Sequence, residues 1–88
     1  MMEKLWVDFN SMGKEGVRLT CVGTQRQIAE KNIALSNGLK LIVYMEDKDE
    51  NDDDMYIYAE ATVKLSKTDQ CWVGQINDSD YRYESKLP

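Results

Sequence analysis

The segment Leu39-Lys-Leu-Ile-Val-Tyr-Met-Glu46, Asp47-Lys-Asp-Glu-Asn-Asp-Asp-Asp54, Met55-Tyr-Ile-Tyr-Ala-Glu-Ala-Thr-Val-Lys-Leu65 decides the fold. On an extended chain, side chains two apart point the same way. Leu39, Leu41, Val43 and Met45 therefore share one face of the first flank. Met55, Ile57, Ala59, Ala61, Val63 and Leu65 share one face of the second. Period two on both flanks predicts two strands, and the stretch between them is too charged to be buried. The reading is a β-hairpin with a long solvated tip over residues 46–54.

Outward from the hairpin, the pattern gives shorter elements. Leu5, Val7 and Phe9 alternate with Trp6 and Asp8, and Val17, Leu19 and Cys21 alternate with Arg18 and Thr20. These are two strands, separated by a turn-rich connection with Gly13 and Gly16. Thr24-Gln-Arg-Gln27 matches a capping box and predicts a short helix over residues 25–31, with Ile28 and Ala29 facing the core. Asn32 is placed to close it in the left-handed region. Ile33 and Leu35 return to an extended pattern, and Ser36-Asn-Gly38 reads as a turn. After a polar turn over residues 66–70, residues 71–76 form the last clear strand, with either Cys71 and Val73 or Trp72 and Ile76 facing inward. A final short turn holds Tyr81 and Tyr83, and residues 84–88 read as a frayed end.

Five short strands with hairpin-sized connections point to antiparallel neighbours. One brief helix is a poor roof for five strands, whereas curling the sheet buries its apolar face on itself. The expected fold is mainly β: a single domain over residues 1–88, a five-stranded, partly open, SH3-like barrel with one short helix after the second strand. The alternative is an α+β sheet with one covering helix.

Charge narrows the function classes. Residues 46–54 hold seven of the 16 acids and one of the 11 bases, a net of −6. The remainder has nine acids and ten bases, so the body is close to neutral. Nucleic acid is then a poor partner, because phosphate binding needs clustered Lys and Arg. It would require Arg18, Arg26, Lys40 and Lys64 to converge. No apolar run is long enough for a membrane span. The N-terminus lacks the apolar stretch of a signal peptide, and a cytoplasmic protein with Cys21 and Cys71 as core thiols is expected. Histidine is absent, the serines sit in turns and the glycines form no phosphate loop. Neither catalysis nor a cofactor is expected.

Two constellations remain. Opposite the core face of the hairpin lie Ile42, Tyr44, Tyr56 and Tyr58, with Trp72 able to join if the last strand turns that face out. Tyrosine offers large contact area with little entropy to lose, which suits a protein partner. In the loop, Asp47, Asp49 and Asn51 stand where a calcium loop has its first oxygen ligands, with Asp53 adjoining. The match then fails: Asp52 replaces the glycine of the sharp turn, Tyr58 replaces the bidentate glutamate, and Glu60 comes two residues late. The loop then offers at most weak divalent-cation binding, through carboxylates that repel one another.

Overall fold

The computed structural model describes residues 2–88. The chain runs β1 (Lys4–Trp6), β2 (Val17–Arg18), α1 (Val22–Glu30), β3 (Lys40–Lys48), β4 (Asp54–Ser66), β5 (Cys71–Gln75), a single 3-10 turn (Asp78–Asp80) and β6 (Arg82–Glu84). The mainly β reading holds. The central hairpin forms, with β3 and β4 antiparallel from Lys40↔Thr62 to Lys48↔Asp54, so the strands run on into the expected tip and only residues 49–53 remain as the loop.

The strand arrangement differs from the expectation in three ways. The sheet has six strands in the order β1-β3-β4-β5-β2, with β6 also on β4. It is mixed, because β1 runs parallel to β3. It does not close: β1 and β2 stand at opposite ends of the strand order, so the barrel expectation gives way to an open sheet. The two end strands do not meet because α1 takes the free edge of β1 and residues 11–12 take that of β2, while β4 carries the extra strand. Its 13 residues present one edge to β3 and share the other between β5 (Thr62–Ser66) and β6 (Tyr56–Tyr58).

The odd-numbered face of β3 and β4 is the core face. Leu41, Val43, Ala61 and Val63 join Leu5, Val7, Val17 and Leu19 in one buried cluster. Phe9, Ile28, Ile33, Leu35, Leu39, Trp72 and Ile76 pack around it. The sheet is strongly curled even though it is open. A Cβ placed on Gly74 of β5 would sit 3.9 Å from a methyl of Val43, two strands away, and 3.2 Å from the Ala61 Cβ. A flat sheet would hold strands two apart at about 10 Å.

The helix begins earlier than its capping box suggests. Its N-cap is Cys21, and no side chain caps it. Thr24 lies inside, fully buried, and its hydroxyl donates to the Trp6 carbonyl at 2.8 Å. Ala29 is exposed, so only Ile28 of the expected pair reaches the core. The C-terminus follows the sequence: Asn32 has φ 53°, Ile33 N–H bonds the Ile28 carbonyl and Asn32 N–H bonds that of Ala29. That pairing is a Schellman closure.

Each end of the strand order is protected. On β1, Gln27 Oε1 accepts from the Trp6 N–H at 2.9 Å, Thr24 takes the Trp6 carbonyl and Lys31 Nζ takes that of Lys4. One face of α1 thus replaces a neighbouring strand. On β2, Arg18 N–H donates to the Ser11 carbonyl and Met12 forms a bridge with Val17.

Candidate functional site

The register turns the even-numbered face of the sheet into a lattice of rows. One row reads Lys4, Ile42, Glu60; the next Trp6, Tyr44, Tyr58, Arg82; the third Glu46, Tyr56, Glu84. Tyr44, Tyr56 and Tyr58 therefore meet as cross-strand and diagonal neighbours, with Ile42 beside them. All four are half-buried. Tyr44 and Tyr56 pack edge to face, with ring centroids 6.2 Å apart.

The polar ends of these rings are held. Gln27 Nε2 donates to the Tyr44 hydroxyl at 3.1 Å, and the Tyr58 hydroxyl donates to Glu84. Accepting that proton makes Glu84 favour the neutral phenol, which holds the Tyr58 pKa above its ordinary 10.0. The Trp6 indole N–H donates to Glu46 Oε2 at 3.0 Å, while its ring lies against Gly23. A groove of about 290 Å³ opens beside the rows. Its floor is Ile42, Tyr58, Glu60 and Arg82, and its rim includes Met2 and Pro88. Pro88, in the stretch read as a frayed end, thus borders the aromatic face, and Glu84 belongs to β6.

Trp72 does not join this face. The turn after Ser66 pairs Ser66 with Cys71 and Leu65 with Trp72, which sets Trp72 on the core side, packed against the cluster. Val73 therefore points to the outer face, yet it is buried. The connection over residues 10–16 covers that end: Gly13 abuts Asp69, Asp69 pairs with Arg18 at 3.4 Å, and Glu15 pairs with Lys64 at 3.6 Å. Trp6 is the aromatic member that sequence reasoning missed. Its signal was its place in the alternation of Leu5, Trp6 and Val7, but the parallel pairing that sets it beside Tyr44 has no local signature.

The acidic loop closes on itself. Asp49 Oδ1 accepts from the N–H groups of Asn51 and Asp53, at 2.9 and 3.0 Å. Asp47 Oδ1 accepts from Lys48 N–H at 2.8 Å. Asp52 adopts φ 63°, the bend for which calcium loops use glycine. Among the described residues, no three Asp, Glu, Cys or His side chains are placed to hold a metal ion. Lys48 bonds Asp54 at 2.7 Å, and this hydrogen bond, followed by the Lys48 charge, lowers the Asp54 pKa from 3.8.

Arg18 and Lys64 share one row of the outer face through Val73, Lys40 lies in the next, and each is paired with an acid. Arg18 and Lys64 face Asp69 and Glu15, while Lys40 faces Glu60 at 3.7 Å. No described helix is long and apolar enough to cross a membrane. No family model, curated protein or solved structure matches the chain.

Proposed function

We propose that this chain is a non-catalytic protein-interaction module, and that its aromatic outer face takes a basic segment of a protein partner. The observation that carries the reading is the arrangement of Trp6, Ile42, Tyr44, Tyr56 and Tyr58 as one continuous face rimmed by Glu46, Glu60 and Glu84, with Lys4 and Arg82 at the row ends. Rings fixed through their hydroxyls lose little further freedom on binding. Arginine suits such a face, because it stacks on rings and pairs with carboxylates at once. The net −6 tip at the end of the same ribbon adds long-range attraction for a cationic partner. The thiols of Cys21 and Cys71 are free and half-buried rather than in the core cluster as expected, and they fit a reducing compartment such as the cytoplasm.

The test is a titration of isotope-labelled protein with a peptide alternating arginine and leucine, and with an aspartate–leucine control, followed by NMR. The basic peptide should move the Trp6 indole signal and the amides of Tyr44 and Tyr58. Tyr44→Ser with Tyr58→Ser should weaken binding by about tenfold or more, the size of a hot-spot loss. Shifts confined to residues 49–53, or equal binding of both peptides, would overturn the reading.

A further inference from the structure

We infer that the open edge of β6 is a self-association site whose occupant is β6 of a second copy of this chain. The ends of the strand order leave little free backbone, because α1 occupies the edge of β1 and residues 11–12 occupy that of β2. Among the described residues β6 pairs with β4 alone, and Arg82, Tyr83 and Glu84 are all exposed. Unpaired N–H and C=O groups along such an edge are a template for one more strand.

The sequence of β6 selects the occupant and the register. An antiparallel copy related by a two-fold axis through Tyr83 sets Arg82 opposite Glu84 of the second copy, and the reverse pair by symmetry. Sliding that copy by two residues in either direction sets Arg82 opposite Arg82, or Glu84 opposite Glu84. A slide of one turns the side chains to the wrong faces. One register therefore satisfies both charges.

The side chains have capacity for these pairs. Arg82 spends Nη1 on the carbonyls of Ser79 and Tyr81, at 3.1 and 3.3 Å, which leaves Nη2 and Nε for a carboxylate. Glu84 receives the Tyr58 hydroxyl on Oε2, which leaves Oε1. Tyr83 is 62% exposed and sits opposite Ile57 on the other face, so the two Tyr83 rings would cover one another at the axis. The axis also points the two acidic tips in opposite directions, which keeps the net −6 loops apart. In this pairing the aromatic rows of both copies lie on the same side of one continuous sheet.

Strand pairing over three residues buries little area, so the association is weak, in the range of about 10–1,000 μM. Sedimentation equilibrium across that range tests it. The apparent mass should rise from 10.2 kDa towards twice that value. Arg82→Glu and Glu84→Arg should each weaken association at least tenfold, and the double variant should restore it to within a few-fold of wild type. Tyr58→Phe removes the same internal hydrogen bond to Glu84 without changing the edge, and should associate as wild type. Tyr83→Lys should remain monomeric while keeping the native circular dichroism, and decides the matter if Glu84→Arg does not fold. A constant 10.2 kDa at every concentration would overturn the inference. So would single reversals that associate like wild type, or a folded double variant that stays monomeric.

Discussion

The two ends of the outer face share β4 and the same alternation, yet they end up in different surroundings. At one end, Val73 and Ser66 are fully buried beneath the connection that carries Gly13 and Glu15. At the other, Tyr44, Tyr56 and Tyr58 stay half-exposed. The difference is a roof, and it arises because β4 outruns the rest of the fold. Its second half is flanked by core strands, while its first half runs with β3 and β6 towards the acidic tip, giving a molecule 40 Å long and 23 Å thick. A ribbon two or three strands wide is marginal in water by itself. This one persists because it continues strands anchored in the core, and its apolar side chains therefore stay half-exposed.

The largest expected effect comes from testing that contrast along one strand. Leu41 and Met45 lie on the same face of β3, but Leu41 is 2% exposed within the cluster and Met45 is half-buried on the ribbon. Leu41→Ala should cost about 3 kcal/mol, because a cavity is left where neighbours cannot collapse. Met45→Ala should cost about 1 kcal/mol or less, because solvent already reaches the site. Urea denaturation of both variants checks this through the midpoint at constant slope. Equal losses would mean that the ribbon has a cover of its own, and the contrast would fall.

The ribbon was legible in the sequence for the reason that makes it marginal. Strict alternation over residues 39–46 and 55–65 is visible without knowing any neighbour. What was not legible depends on contacts distant in sequence. The parallel pairing of Leu5 with Val43 reaches across β2 and α1, and no local period records which strands pair. Residues 71–76 offered two inward faces, and both Val73 and Trp72 found cover, on opposite sides of the sheet. Thr24 was read as a cap because a hydroxyl three residues before a glutamine fits that pattern. The same hydroxyl can equally bond a carbonyl on a strand edge, and here it does. Arg82-Tyr-Glu84 is too short and polar to announce a strand, so the third strand of the ribbon went unread.

A middle-sized effect probes how the aromatic rows are tied to the core. Thr24→Val keeps the shape of the side chain and removes the hydroxyl from the Trp6 carbonyl. An unpaired buried acceptor costs about 1–2 kcal/mol. The loss should be accompanied by faster hydrogen exchange at the Trp6 amide, which donates to Gln27 on the same helix. If exchange at Trp6 is unchanged while stability falls, the helix supports the core alone, and the rows of the outer face are held from within the sheet.

The smallest effect reads the docking of β6 on the ribbon without depending on stability. Tyr58 and Tyr81 both titrate above their ordinary 10.0, for different reasons: the hydrogen bond to Glu84 leads for Tyr58, and burial followed by the charge of Asp78 leads for Tyr81. A raised phenol pKa means that the fold prefers the neutral ring. The contribution is therefore fully present below pH 10.0 and is lost as pH rises through the folded value. Glu84→Gln keeps an acceptor at that position but removes the charge, so Tyr58 should titrate lower than in wild type while Tyr81 stays where it is. NMR of the ring carbons resolves the two. A Tyr58 that ignores the substitution would mean that Glu84 does not reach it in solution, that β6 is not seated on β4, and that the free end of the ribbon is a two-stranded hairpin.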